Sequence, residues 1–305
     1  MNVLLWHVHG SWTTGFVQGR HHYVVPVLPD RGPDGRGRAQ TWDWPDAVVE
    51  RSPESLADED VDVLVVQRER DLVLAERWLG GRRPGRDIPT VWLEHNAPQG
   101  RIEEMRHPAA DRRDVVVVHV THTNDLFWDC GTTRTVVIEH GIVDPGHRFV
   151  GTLPRAAVVV NEPGRRGRVV GSDLVDRFAE VAAIDRFGIG ACNLPQAELH
   201  AELGLRRAYL HPVRWTSLGL SLVEAMHLGM PVVALSTTEV PEVVPDGAGV
   251  VSNRLPVLED AVRRFVHDVD EAREVGLRAR AAALRRWNLA RFLDDWDGVL
   301  AEVAA

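Results

Sequence analysis

The sequence has no lysine: all 35 of its basic residues are arginine. This excludes every chemistry built on a lysine amine, including Schiff bases, pyridoxal-phosphate anchoring and the Walker-type phosphate loop. Any bound phosphate must be met by guanidinium groups or backbone N–H groups. The arginine-only usage is that of a GC-rich genome. Cysteine is nearly absent as well. Cys130 and Cys192 lie far apart, in no metal-ligand spacing, and read as free thiols in a reducing compartment. No run is long and apolar enough to span a bilayer. The first nineteen residues carry no formal charge and hold polar groups from His7 to Thr14, so they form neither a signal peptide nor a spanning helix. A basic excess is also missing. The net charge of -9 argues against a nucleic-acid partner. These absences point to the cytoplasm and leave peripheral contact with the inner membrane face open. Nothing in the sequence sets the oligomeric state.

What is present is an alternation. Nearly all-apolar runs at Val3–Val8, Tyr23–Leu28, Val61–Val66, Pro89–Leu93, Val115–Val120 and Thr135–Ile138 suit strands buried on both faces of a parallel sheet. A Gly/Arg-rich loop from Asp30 to Arg38 follows the second run, and a helix is expected at Asp71–Leu79. Asp144-Pro145-Gly146 and Gly151 to Pro154 interrupt the pattern, which then restarts. Strands are expected at Ala156–Val160, Ile184–Phe187, Ala208–Leu210 and Pro231–Leu235. Helices are expected at Ser172–Ala182, with Ser172 as N-cap, and at Pro195–Leu203. Leu289, Phe292, Leu293, Trp296, Val299, Leu300 and Val303 form one apolar stripe on a terminal helix. Two strand-helix series imply two doubly wound α/β units.

The stretch from His211 to Val244 carries the most information. Ser221-Leu222-Val223-Glu224 fits an S-x-x-E capping box, which would start a helix at Ser221, and Gly229 and Pro231 would end it. The N–H groups of its first turn would form an anion site that the helix dipole strengthens. Gly219-Leu220-x-x-x-Glu224-Ala225-Met226-x-x-Gly229-x-Pro231-Val232-Val233 resembles the donor-binding segment of the family 4 (group 1) retaining glycosyltransferases, in an actinobacterial-like form. Pro241-Glu242-Val243-Val244-x-Asp246-Gly247 continues the likeness, which is strong over roughly forty residues.

The resemblance implies a GT-B architecture: two Rossmann-like parallel-sheet domains facing a central cleft, with the C-terminal helix returning to the first domain. The expected domains are an acceptor-side domain at 1–150, a nucleotide-sugar domain at 151–285 and the returning helix at 286–305. By position in the family motif, Glu224 would bond the donor ribose, a role shared with its place in the capping box. Thr216 stands where the family has a glutamate. Gly219, Leu220 and Ser221 would lie against the donor, as would Gly10 in the loop after the first strand. Arg166 and Arg168, with Arg165 next, would take the place of the family's Arg–Lys pair on the diphosphate. His95 resembles the cleft histidine that contacts the donor sugar or the reacting hydroxyl. His9 and Trp12 fall on the acceptor side. His119, and His140 in Val137-Ile138-Glu139-His140-Gly141-Ile142-Val143-Asp144, also end strands, where open α/β sheets place their sites. The His7-x-His9 pair has no carboxylate or thiol ligand near it in sequence, and no metal site is expected.

The expected activity is metal-independent hexosyl transfer, with retention, from a nucleotide-diphosphate sugar to a carbohydrate or glycolipid hydroxyl. No other cofactor is expected. A nucleotide-sugar 2-epimerase and a non-catalytic nucleotide-sugar binder would share the same architecture.

Overall fold

The computed structural model describes all residues, Met1–Ala305, and the chain separates into two compact units. The first comprises Met1–Val143 with Leu289–Ala305, and the second comprises Asp144–Asn288.

The first unit runs β1 (Asn2–Leu5), α1 (Gly10–Phe16), β2 (His22–Pro26), β3 (Val48–Arg51), β4 (Val63–Val66), α2 (Glu69–Trp78), β5 (Thr90–Glu94), β6 (Val116–His119), α3 (His122–Phe127) and β7 (Arg134–Val137). The strands form one parallel sheet in the order β3-β2-β1-β4-β5-β6-β7. β1, β4 and β5 are fully buried apart from Asn2, as their unbroken apolar runs require.

The second unit runs β8 (Leu153–Val159), α4 (Pro163–Arg166), α5 (Ser172–Ala179), β9 (Ile184–Phe187), α6 (Gln196–Leu205), β10 (Arg206–His211), α7 (Leu220–Leu228), β11 (Val232–Ala234), α8 (Val240–Val243), β12 (Gly249–Val251), α9 (Leu255–His267) and α10 (Val269–Arg286). Its sheet is also parallel, in the order β12-β11-β10-β8-β9. The final helix, α11 (Leu289–Ala304), belongs to the first unit. It buries Phe292, Trp296, Val299 and Leu300, with Trp296 edge-on to Trp12 and Phe16.

Several boundaries move from their sequence-based positions. The first unit ends at Val143, not at residue 150, because the following segment bonds into the second unit. The amides of Arg148 and Phe149 donate to Leu228 O, that of Val150 donates to Gly204 O, and Asp144 pairs with Arg280 at 2.7 Å. The Ser172 helix is capped by Gly171 in the left-handed region, and the Ser172 hydroxyl bonds back to Gly167 O. A side chain at Gly171 would overlap the Pro212 carbonyl, so only glycine fits. β3 carries two charged residues and was not anticipated.

Candidate functional site

In each sheet the strand order reverses once, between β1 and β4 in the first and between β8 and β10 in the second. Ligands of open α/β sheets bind at such a switch point, outside the carboxyl ends of the strands. The segments there are His7–Gly10 and Gln67–Arg68 in the first unit, and Asn161–Arg168 and His211–Gly219 in the second.

In the second unit the two switch-point loops are fastened together. The amide of Arg214 donates to Val169 O, and its guanidinium donates to Arg168 O and to both carboxylate oxygens of Asp173. Arg168 is exposed and shares Asp173 at 3.1 Å. Arg165 is committed to Glu162. Arg166 is half-buried and in no ion pair; burial, then the neighbouring Arg165, lowers its pKa. Of the three arginines it keeps its charge least compensated by carboxylate.

The N-cap of α7 lies two residues earlier than the capping box implies. Gly219 is the N-cap, with extended backbone and no side-chain cap. Ser221 therefore sits within the first turn, where its hydroxyl accepts a 2.8 Å hydrogen bond from the buried Tyr209. Neither side chain caps the first turn, in which the amide of Leu222 donates to Gly219 O while those of Leu220 and Ser221 have no intrahelical acceptor. A Cβ at Gly219 would stand 3.0 Å from His211 Nε2 and closer still to its Cε1. His211 is buried with neither ring nitrogen hydrogen-bonded, and burial pushes its pKa down to about 4. Glu224 is buried one turn further on, with His200 Nε2 of α6 at 3.7 Å. His200 is in turn 2.7 Å from the Gln196 side-chain nitrogen. Thr216 is half-buried in the loop before the helix.

The first unit gathers its histidines. His95, at the end of β5, lies 4.1 Å from His9, 6.0 Å from His140 and 5.4 Å from Trp12, ring centre to ring centre. All three imidazoles are held neutral. Burial and the neighbouring histidines push His95 well below its ordinary range. Burial, then Arg36, Arg68 and His7, puts His9 at about 4, and burial, then His9 and Arg291, puts His140 at about 3. The strand end carrying His95 is pinned by its neighbour Glu94, which accepts from Asn96 N at 2.6 Å and meets His107 Nε2 at 3.1 Å. The amide of Ala109 donates to His107 Nδ1, so the imidazole proton sits on Nε2 and is donated to Glu94. His119 is buried beside Cys130 and stands away from this group.

Trp12 is the third residue of α1, 2 % exposed, and packs against Phe16 and Trp296. Gly10 follows the loop after β1 and opens α1, and a Cβ there would meet only ordinary contacts. The Glu94–His107 pair, the His200 and Gln196 neighbours of Glu224, and the Arg214–Asp173 clasp were not anticipated. Each joins residues whose proximity exists only in the folded chain. No three histidine, cysteine or carboxylate side chains converge as metal ligands.

Two doubly wound parallel-sheet units of this kind constitute the GT-B glycosyltransferase fold, and solved structures of that fold superpose on the chain. Sucrose-phosphate synthase from Thermosynechococcus elongatus matches with a TM-score of 0.72 at 12 % identity, covering 99 % of both chains. HepE from Anabaena, solved with UDP and glucose, matches at 0.66 and 13 % identity, covering 99 % of this chain and 100 % of its own. TarM from S. aureus, solved as a mutant with UDP, matches at 0.59 and 13 % identity over 78 % of this chain; the match spans about half of TarM, 55 % of its length. Residues 190–282, within the second unit, match the family model of glycosyl transferases group 1. No curated protein matches the chain in sequence.

Proposed function

We propose that the protein transfers a sugar, with retention and without a metal, from a nucleotide-diphosphate sugar held by the second unit to an acceptor hydroxyl presented to the first. The observation that carries this reading is the uncapped N-terminus of α7 at the β8/β10 switch point, with buried Glu224 one turn behind it, inside the segment that matches the glycosyltransferase family. The first-turn amides and Arg166 would receive the diphosphate, whose charge grows as the glycosidic bond breaks. Glu224 would accept from the two ribose hydroxyls. Arg168, Gly219, Leu220 and Ser221 would complete the donor site. His95, kept neutral, can orient a hydroxyl through hydrogen bonding without competing for the diphosphate as a cation. His9, 4.1 Å away, would extend this pair toward the acceptor. The acceptor would be a carbohydrate or glycolipid; for the latter the protein would work at the inner membrane face.

HepE was solved with UDP and glucose, which makes UDP-glucose the first donor to assay. Thermal shift against UDP, GDP, ADP and their sugars identifies the base, because a ligand binding only the folded state raises the melting point. Release of free nucleoside diphosphate with a sugar acceptor then tests transfer. No shift with any nucleotide would overturn the reading. Thr216 supports a second one: a neutral hydroxyl where the family has a carboxylate fits a binder that never turns over. Donor binding with no diphosphate release across many acceptors would establish that case, and formation of a C2 epimer without acceptor would establish an epimerase.

A further inference from the structure

The connection between β2 and β3, residues 27–47, exceeds the ~12–15 residues beyond which irregular loops in compact domains are uncommon and usually functional. It is firmly held at the carboxyl end of β1. Val27 and Arg36 form an antiparallel bridge, with Leu28 N donating to Gly35 O and Gly37 N to Pro26 O. Trp6 Nε1 donates to Asp34 O at 3.0 Å, and Trp44 Nε1 to Thr14 Oγ1 at 2.9 Å. The loop is therefore a built surface at the β1/β4 switch point.

Two side chains lie against Gly10, Trp42 from the loop and His7 from the end of β1, and Arg36 of the loop reaches Val8 beside them. The Trp42 indole nitrogen lies 3.6 Å from where a Gly10 Cβ would stand, and His7 Nε2 lies 3.9 Å from it. Trp42 is half-buried, with its indole nitrogen turned toward Gly10. His7 Nδ1 is 3.0 Å from Gly37 O, a carbonyl that only accepts, so Nδ1 carries the proton and Nε2 of the neutral ring presents a lone pair. Arg36 is exposed, is steadied by one hydrogen bond to Val8 O at 3.2 Å and is in no ion pair. The neighbouring Arg68 and Arg70 are taken up by Asp71 and Asp34. Among the charges that reach the His7 and His9 rings are Arg36 and Arg68, and no carboxylate is among them.

We infer that Arg36, Trp42 and His7 form a subsite for an acidic saccharide, the acceptor or its terminal residue. The guanidinium meets the carboxylate or phosphate group. The indole offers a face and an N–H donor to the sugar. His7 Nε2 accepts from a hydroxyl. The inference rests on the acceptor side of the proposed function and narrows it to sugars bearing negative charge.

The test is saccharide binding to the full chain without donor, read by ligand-observed NMR. The probes are glucuronic and galacturonic acids and the 6-phosphates of glucose and mannose, each against its neutral parent sugar. At least one acid should bind tenfold or more tighter than its parent, and whether it is a uronate or a phosphate identifies the anion. Arg36→Gln should remove that preference, Arg36→Lys should restore part of it, and Trp42→Ala should weaken acids and neutral sugars alike. Melting curves verify that the variants are folded. Equal binding of acids and parents, an acid preference that survives Arg36→Gln, or no binding by any probe would overturn the inference. UDP binding to the wild type is measured alongside. Its absence would defeat the donor reading and leave an acid-sugar result standing.

Discussion

Gly219→Ala puts a methyl group where the structure has no room for one. The new carbon would stand 3.0 Å from His211 Nε2 and nearer to Cε1. The backbone is not the difficulty: φ -74° and ψ 110° are open to any residue. The obstacle is a ring that is 1 % exposed at the end of a central strand. Overpacking of this kind costs about 1–3 kcal/mol. In a unit of this size each kcal/mol lowers the melting point by roughly 2–4 °C. Gly219 is also the cap of the helix whose first amides would hold the diphosphate, so UDP-sugar affinity should fall in the same variant. The decisive measurement is a double-mutant cycle with His211→Ala, followed by thermal melting and by calorimetric titration with UDP-glucose. Removing the ring opens the space that the methyl group needs. The double variant should therefore be more stable than the sum of the single costs by about 1 kcal/mol or more. Additive costs, or a Gly219→Ala protein that melts and binds like wild type, would refute the steric argument.

Three further outcomes are expected. Glu224→Gln removes the charge from the proposed ribose contacts. Each charge-assisted hydrogen bond is worth about 1.5–3 kcal/mol, so titration should show UDP-sugar binding at least tenfold weaker, with the fold intact by circular dichroism. Stability should fall with acid. His9, His140 and His211 titrate near 4, 3 and 4 in the folded chain and near 6.5 when unfolded, so the unfolded state binds more protons between those values. Denaturation midpoints should hold steady above about pH 7, then drop as the pH passes 6.5 toward 4, by about 1.4 kcal/mol at pH 5.5 for each of the buried His140 and His211. Midpoints that stay flat from pH 7 to 5 would contradict neutral burial. Trp296→Ala should destabilise the first unit by about 3–5 kcal/mol through loss of the contacts with Trp12 and Phe16, read as an earlier transition in calorimetry.

The strands were legible in the sequence because parallel strands buried on both faces must be written as unbroken apolar runs. Val63–Val66 and Thr90–Glu94 are such runs. β3 escaped because an edge strand with one half-solvated stretch, Val48–Arg51, needs no such run. The start of α7 was misjudged because Ser221 and Glu224 have the right spacing for mutual capping, while Tyr209, twelve positions earlier in the chain, takes the serine hydroxyl. The burial of Trp12 was hidden for a similar reason. A tryptophan after a strand-end glycine has the composition of a sugar platform, and only the return of α11 at the far end of the chain buries it. Placement of Trp42 beside Gly10 and of Arg36 on Val8 depends on how an irregular loop folds back, which no periodicity encodes.

The first unit is discontinuous: it needs Leu289–Ala304 to cover Trp12 and Phe16. During synthesis the usual order, amino-terminal domain first, cannot be completed here. At roughly 5–20 residues per second, the ribosome takes on the order of ten to thirty seconds to make everything after Val143. Over that interval the seven-stranded sheet waits with an aromatic face uncovered, while Asp144–Asn288, whose residues are contiguous, can close on itself. The nascent chain is thus expected to mature from its middle outward. The interval before α11 arrives is when it should depend most on chaperones.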